Sequence, residues 1–150
     1  MRFLRRTPVR TFIIYPVITL LWELIIQRGS IEADFRFLPL MIWGYLQYRL
    51  CGLYRIKHGG GGPGLETPPD RLVESGPYAW TRNPMYLGHL IFMLGLAITF
   101  WSSFALILLV ARAVWFHGRV LRDEKRLEAR FGGDYAAYRQ RVKRWIPGLL

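Results

Sequence analysis

The segment 75–90 (SGPYAWTRNPMYLGHL) places polar and aromatic residues at the start of an apolar run. Asn83 can cap a helix and Pro84 suits the first helical position, so this segment predicts a helix that begins there. The free N–H groups at a helix amino terminus favour an anion, and Arg82 adds a positive charge beside them. Aromatic rings nearby come from Tyr78, Trp80 and Tyr86. The segment therefore suits a ligand that has a carboxylate at one end and an aromatic ring at the other.

A second group of charged residues follows residue 116, in the sequence HGRVLRDEKRLEAR. Arg119 and Asp123 are four residues apart, so a helix places them on one face, with Glu124 turned about 100° away. The other charges are interpreted as solvated, paired one turn apart or facing anionic lipid headgroups: Arg122, Lys125, Arg126, Glu128 and Arg130. This pattern predicts a charged helix that lies at a membrane surface.

The sequence FGGDYAAYRQRVKRWIP comes next. Glycine is common just past the end of a helix, so Gly132-Gly133 predicts that the charged helix ends there. A second short helix, which contains Tyr135 and Tyr138, is expected to stop before Pro147.

Composition excludes several classes of protein. The chain has 150 residues, enough for one domain, with 52% hydrophobic residues and a net charge of +11. A soluble domain this basic usually binds nucleic acid, but here the apolar residues are too abundant and too blocky for that interpretation. Cys51 is the single cysteine, so neither an internal disulfide nor a cysteine cluster is expected. The histidines lack metal-ligand spacing, and no metal is expected at His58, His89 or His117.

Four apolar blocks predict an all-α integral membrane protein with four transmembrane helices. They lie at residues 11–27, 35–54, 86–101 and 104–116. A helix crosses the hydrocarbon core with about 20 residues. Two blocks contain a charge, Glu23 or Arg49, but together the four leave little polar face for a soluble bundle. The first block is expected to be a retained helix, bent at Pro16, rather than a cleaved signal peptide.

Basic residues alternate between the loops and predict the orientation in the membrane. Lys and Arg are frequent before the first block, in the long loop 55–85 and after the fourth block, and they are scarce or offset by acids elsewhere. The positive-inside rule therefore places both termini, the long loop and the carboxy-terminal helical tail on the cytoplasmic side. The amino-terminal contributors are Arg2, Arg5, Arg6 and Arg10. A site formed by the long loop and the tail is expected to face the cytosol, and the compact chain favours a bacterial inner membrane.

Two motifs, in this order, resemble the isoprenylcysteine carboxyl methyltransferase family. They are GPYAWTRNPMYLG and, after a helical hairpin, R…DExxLxxxFGxxYxxY…V…IP. The similarity covers about residues 70–147, and related phospholipid N-methyltransferases share parts of it. The resemblance implies an integral membrane enzyme that holds S-adenosylmethionine between the loop before the hairpin and the helix after it. It also implies one domain, with a two-helix substrate and lipid part at about 1–54 and a cofactor part at about 70–147.

The resemblance assigns roles to individual residues. The first acid of the paired-acid motif, Asp123, would bind the cofactor's ammonium group, with Glu124 sharing or replacing that contact. The arginine one turn earlier, Arg119, would orient the substrate carboxylate and is the predicted catalytic residue. Arg82 is also predicted to contact the cofactor, because of its positive charge at the start of the helix. The remaining predicted cofactor contacts are Leu72, Val73, Tyr78, Asn83, Pro84, Met85, Tyr86, Tyr135 and Tyr138.

Two residues depart from the family pattern. Asn83 replaces the usual histidine of an Arg-His-Pro sequence, and asparagine cannot titrate, so a histidine proton shuttle is not expected at this position. Asp123 replaces a glutamate and is one methylene shorter, so either the helix lies closer to the cofactor or Glu124 takes part in the contact. The amino-terminal part, where the family's substrate contacts usually lie, is short.

These features predict methyl transfer to a lipophilic small molecule or a lipid-modified substrate. A guanidinium at Arg119 suits a carboxylate or a phosphate. A carboxylate is ionised at neutral pH and needs no general base, so O-methylation of a carboxylate is favoured over N-methylation of an amine-bearing lipid, the alternative. A non-enzymatic alternative is a scaffold that binds anionic membrane lipids through its basic tail. It explains the charge, but not why both motifs fall on one side of the membrane.

Overall fold

The computed structural model describes residues 6–29, 31–62, 65 and 67–146, which form four α-helices and contain no β-strand. The predicted all-helical class is therefore confirmed for the described part of the chain. Arg2, Arg5 and Pro147, which were used in the sequence-based predictions, lie outside it. The helices are α1, Thr7–Ile26; α2, Leu38–Gly59; α3, Pro84–Thr99; and α4, Ser103–Arg141.

Two of these helices, α1 and α4, are long and apolar enough to cross a membrane. Helix α3 is also apolar but has 16 residues, and the 22 residues of α2 include charged side chains in its second half. Helix α1 exposes large apolar side chains along its length, and Ile25 is 74% exposed. Side chains of this kind suit contact with lipid rather than with water. Length and composition thus support two membrane-spanning helices.

Helix α1 is distorted next to its proline. A π-helical turn occupies Arg10–Ile14, and regular α-helix continues from Tyr15 to Ile26. Pro16 has no backbone N–H to donate to the preceding turn, and its ring crowds that turn. The wider π-helical turn lies where that hydrogen bond is missing, so the disturbance predicted at Pro16 appears just before it.

Helix α4 contains a break at Gly132. This residue has φ 52° and ψ −123°, a backbone conformation that is not helical and that favours glycine. The predicted interruption at Gly132-Gly133 is therefore confirmed, and helical structure resumes with Tyr135 and Tyr138. No separate turn divides the membrane block from the charged helix, since α4 continues through His117.

The chain divides into two compact units. The first contains the described residues up to Leu46 together with Gly88–Val114, and the second contains Gln47–Leu87 and the described residues from Trp115 onward. Within the first unit, Leu96, Ala97 and Ala105 form a buried apolar cluster.

The charge in the first apolar block is satisfied within the first unit. Glu23 is buried and accepts hydrogen bonds from Ser102 Oγ at 2.5 Å and from Gln27 Nε2 at 3.0 Å. Ser102 Oγ also accepts from the Ala105 N–H at the start of α4, at 3.1 Å. A buried carboxylate is costly unless it is hydrogen-bonded, and these donors offset that cost.

Glycines allow α2 and α3 to approach closely within the first unit. A Cβ atom placed on Gly44 would lie 2.4 Å from the Phe92 amide nitrogen and 2.7 Å from the Gly88 carbonyl oxygen. A Cβ atom on Gly95 would meet Met41 at 2.8 Å. Small residues at such contacts let helix backbones pack against each other inside a membrane.

Replacing Gly44 by alanine is expected to destabilise the protein by about 1–3 kcal/mol, because backbone atoms rather than flexible side chains obstruct the new methyl group. Thermal unfolding of purified protein in detergent would measure the change. Gly118→Ala is the matched control: its Cβ meets only Arg122 NH1, at 4.0 Å, and removing a helical glycine should slightly raise stability. Equal stability of the Gly44→Ala variant and the wild type would contradict the close helix contact.

Candidate functional site

The start of α3 is tied to the carboxy-terminal segment of the second unit. The Arg82 N–H donates to the Lys143 carbonyl oxygen at 3.0 Å. The Arg144 carbonyl oxygen accepts from Thr81 Oγ1 at 3.0 Å and from Asn83 Nδ2 at 3.2 Å. Three consecutive residues before the helix thus take their positions from two residues about 60 positions later in the chain. Asn83 was predicted to cap the helix, and in the structure its side-chain amide donates to this connection.

The tyrosines that follow the break at Gly132 pack against the loop before α3. Tyr135, Tyr138 and Val142 form a buried cluster. The Tyr138 hydroxyl donates to the Tyr78 carbonyl oxygen at 2.7 Å. Burial raises the pKa of the Tyr78 hydroxyl well above its ordinary value, so this group stays protonated and neutral. The change of direction at Gly132 thus accompanies the packing of these rings against the loop before α3.

The two adjacent acids of α4 have different surroundings. Asp123 is 27% exposed and accepts a hydrogen bond from the Tyr86 hydroxyl at 2.7 Å. Glu124 is buried and receives two hydrogen bonds from Arg144, at 3.0 and 2.8 Å, and an ion pair with Arg82 at 3.3 Å. The hydrogen bond to Glu124 raises the pKa of the Arg144 guanidinium. Asp123 also forms two longer ion pairs, with Arg119 at 3.8 Å and Arg126 at 3.7 Å. Both acids are therefore engaged by two arginines, but Asp123 is the more accessible acid and Glu124 has the closer, bidentate contacts.

Arg82 is a buried cation with unused donors. Its side chain is 8% exposed, and NH2 lies 3.3 Å from Glu124 Oε1. Its Nε and NH1 are buried and have no hydrogen-bond partner among the described residues. Buried polar groups are normally satisfied, so such atoms call for an explanation. A bound anion that reached Arg82 would offset their cost.

Three other arginines contact the loop that precedes the GPYAWTRNPMYLG motif. Arg119 NH2 donates to the Leu65 carbonyl oxygen at 3.3 Å, and Arg55 NH2 donates to the Gly62 carbonyl oxygen at 3.2 Å. Arg130 pairs with Asp70 at 3.5 Å. These contacts connect α2 and α4 to Gly62, Leu65 and Asp70 within one unit.

A cavity of about 200 Å³ lies among these elements. All twelve predicted cofactor contacts line it: Leu72, Val73, Tyr78, Arg82, Asn83, Pro84, Met85, Tyr86, Asp123, Glu124, Tyr135 and Tyr138. Arg119, the predicted catalytic residue, is not among its described lining residues. Its Nε lies 3.8 Å from Asp123 Oδ2, and its guanidinium lies 5.5 Å from the centre of the Trp115 ring. Arg119 therefore borders the cavity through Asp123 and Leu65.

The sequence reasoning missed eight lining residues: Arg55, Leu65, Thr67, Pro68, Pro69, Arg126, Leu127 and Arg130. Helical spacing could have identified Leu127 and Arg130, which follow Asp123 by four and seven residues and so share its face. The positively charged Arg126 and Arg130 were interpreted as solvated or paired. Arg55 and the loop residues carry no comparable local signal.

Comparisons with known proteins match the same region. A model of the phospholipid methyltransferase family matches residues 63–133. Three relatives named protein-S-isoprenylcysteine O-methyltransferase are similar over 78 residues, or 51% of this chain. Identity is 36% for the Schizosaccharomyces pombe protein, 31% for that of Saccharomyces cerevisiae and 33% for that of Mus musculus. The chain spans 33%, 32% and 27% of their lengths, respectively. The resemblance predicted from the motifs is confirmed.

Proposed function

We propose that this protein, given its similarity to methyltransferases, is an integral membrane methyltransferase that uses S-adenosylmethionine and acts on a lipophilic acceptor. The observation that carries the proposal is one cavity lined by both a buried cation with unsatisfied donors and an accessible carboxylate. Arg82 suits the carboxylate of the cofactor's amino-acid end, and Asp123 suits its ammonium group. The cavity thus offers a charge of opposite sign to each end of the zwitterionic amino-acid group.

The remaining lining fits the other parts of such a ligand. Leu72, Val73 and Met85 offer apolar surface for an adenosine group, and Val73 and Met85 are buried. The neutral Tyr78 ring lines the same cavity. S-adenosylmethionine, when bound, supplies an electrophilic methyl group on a sulfonium. The protein then has to orient the acceptor and exclude water, which these apolar and aromatic residues favour.

The favoured reaction is O-methylation of a carboxylate. Methyl transfer from a bound sulfonium to an ionised carboxylate oxygen would yield a methyl ester and a neutral thioether, so the protein would need no group to remove a proton. Arg119 lies next to Asp123 and can hold the ionised carboxylate beside the cofactor site. The absence of a proton to remove agrees with Asn83 at the position where the family has histidine.

N-methylation of an amine-bearing phospholipid is the second candidate, because the matching family model describes phospholipid methyltransferases. An amine must lose a proton before or during transfer, and Asp123 is the accessible carboxylate of the described cavity lining that could accept it. Arg119 would then hold the lipid phosphate.

We further infer four membrane spans, with both termini and the site on the cytoplasmic side, in a bacterial inner membrane. Helices α1 and α4 support two spans by length and composition, and α3 adds a shorter apolar helix. The alternation of Lys and Arg between loops supports the orientation. Cysteine-accessibility labelling would test it, because residues in 55–85 should react only with reagents that reach the cytoplasm.

Cofactor binding tests the proposed function. We expect purified protein in detergent to bind S-adenosylmethionine saturably in isothermal titration calorimetry. No heat of binding at millimolar cofactor would contradict the enzyme proposal and favour the lipid-binding scaffold.

Mass spectrometry of lipid and protein extracts, from cells with and without the gene, would identify the acceptor class. A product that gains one methyl group and loses it in mild base would indicate an ester and carboxylate O-methylation. A base-stable methyl group would contradict the favoured reaction and indicate N-methylation.

A further inference from the structure

The carboxylate of Glu124 lies between two arginines. Arg144 donates through Nε at 3.0 Å and NH2 at 2.8 Å, one to each carboxylate oxygen. Arg82 NH2 lies 3.3 Å from Oε1 of the same group. Bidentate pairing of this kind is the stronger arrangement of an arginine and a carboxylate. Glu124 is thus bound mainly by Arg144, and Arg82 is the secondary partner.

The pairing leaves Arg82 with donors to spare. Its Nε and NH1 have no hydrogen-bond partner in the part of the chain that the structure describes. If Arg144 were absent, Glu124 would be a buried carboxylate with Arg82 as its remaining cation. Removing one partner of a buried ion pair leaves a costly uncompensated charge. Arg82 would then be drawn into a bidentate pair with Glu124, and its donors would no longer be available to a ligand.

Arg144 is well placed for this role. Its side chain is 28% exposed, so it reaches Glu124 from the edge of the unit, and its carbonyl oxygen accepts from Thr81 and Asn83, the two neighbours of Arg82. Side chain and backbone of one residue therefore act on both sides of Arg82. Arg144 itself is not among the described residues that line the cavity.

We propose that Arg144 is a positioning residue that binds Glu124 and so keeps Arg82 available for the anionic end of a ligand in the cavity. This inference rests on the proposed function, because it takes that anion to be the carboxylate of the cofactor. It assigns to Glu124 an indirect role, in which the carboxylate is balanced by Arg144 and does not hold the ammonium group.

Arg144→Ala is expected to raise the Kd for S-adenosylhomocysteine by about 10- to 100-fold, the effect of losing a charge-assisted contact. Binding of 5′-methylthioadenosine, which lacks the amino-acid end, should change by less than about 3-fold, a small free-energy difference. Calorimetry in detergent measures both ligands. Arg139→Ala is the matched control. It also removes an arginine from the carboxy-terminal segment, but Arg139 pairs with the exposed Glu128 rather than with Glu124.

A second substitution separates positioning from a merely structural role. Adding Glu124→Gln to Arg144→Ala removes the carboxylate that competes for Arg82, so the double variant should bind S-adenosylhomocysteine more tightly than Arg144→Ala. Arg144→Lys, which keeps the charge but not the bidentate geometry, should show an intermediate Kd and serves if the alanine variant does not fold.

Three results would overturn the inference. They are an unchanged Kd in both Arg144 variants, a double variant that binds no better than Arg144→Ala, and equal losses for both ligands. If the wild type binds both ligands and the Arg144 variants bind S-adenosylhomocysteine with the wild-type Kd, the positioning role fails while the cofactor site stands. If the wild type binds neither ligand, the proposed function fails and this inference with it.

Discussion

Replacing Arg119 by alanine is expected to lower kcat by at least about 100-fold while leaving the Kd for S-adenosylmethionine within about 3-fold of the wild type. The reason is its place in the structure. Arg119 is absent from the described lining of the cavity, but it lies 3.8 Å from Asp123 and beside the Trp115 ring. If the cavity holds the cofactor, as we propose, a residue at its edge can orient the acceptor without contacting the cofactor. Steady-state methylation assays and separate binding titrations would measure the two quantities.

The control for Arg119→Ala is Arg122→Ala. Arg122 lies on the same helix, carries the same charge, is exposed and does not line the described cavity. Arg119→Lys should restore part of the activity, because lysine keeps the positive charge but loses the planar, bidentate guanidinium. Equal losses of turnover and cofactor affinity in Arg119→Ala would contradict its assignment to the acceptor. They would instead indicate that its contacts with Asp123 and the Leu65 carbonyl oxygen maintain the cofactor site.

Replacing Asp123 by asparagine is expected to raise the Kd for S-adenosylmethionine by about 10- to 100-fold, the effect of removing a charged hydrogen-bond acceptor. Asparagine retains an oxygen that can accept the hydrogen bond from the Tyr86 hydroxyl, so the local packing should survive. The substitution thus mainly removes the negative charge that we propose binds the cofactor's ammonium group. Equilibrium dialysis with radiolabelled cofactor would measure the change.

The comparison of Asp123→Asn with Glu124→Gln distinguishes the two adjacent acids. Glu124 is buried and bidentately bound by Arg144, whereas Asp123 is more exposed and its arginine contacts are longer, so Glu124→Gln should weaken cofactor binding less than Asp123→Asn. Glu128→Gln removes the same charge at an exposed position of the same helix and serves as the control. If Glu124→Gln has the larger effect, the ammonium contact belongs to Glu124, and the positioning role of Arg144 also needs revision.

Local sequence signals predicted several elements correctly. Pro84 begins α3, as the helix-start pattern indicated, and the glycine pair in FGGDY marks the break inside α4. Both depend on backbone chemistry within a few residues: proline suits the first turn of a helix, and glycine adopts positive φ without a Cβ clash. The four-helix pattern could be predicted because apolar blocks of helical length are visible in the sequence alone.

Membrane crossing was harder to predict helix by helix. Helices α1 and α4 meet the length and composition for a span, whereas α3 is shorter and α2 mixes charged with apolar residues. Hydropathy identifies a helix as apolar, but a short or charged helix can still lie within a bundle because its neighbours cover its polar groups. Sequence patterns alone therefore do not decide every span.

The sequence by itself determined which residues could form the site. The sequence motifs predict twelve cofactor contacts between Leu72 and Tyr138, and all twelve line the cavity. Only the tertiary structure showed that Glu124 is bound by Arg144, that Asp123 is the more accessible acid, and that Arg55 and residues 67–69 join the lining. These contacts join residues 20 to about 60 positions apart. Helical periodicity describes neighbours within a turn or two, so contacts at this range are decided by how loops and helices pack.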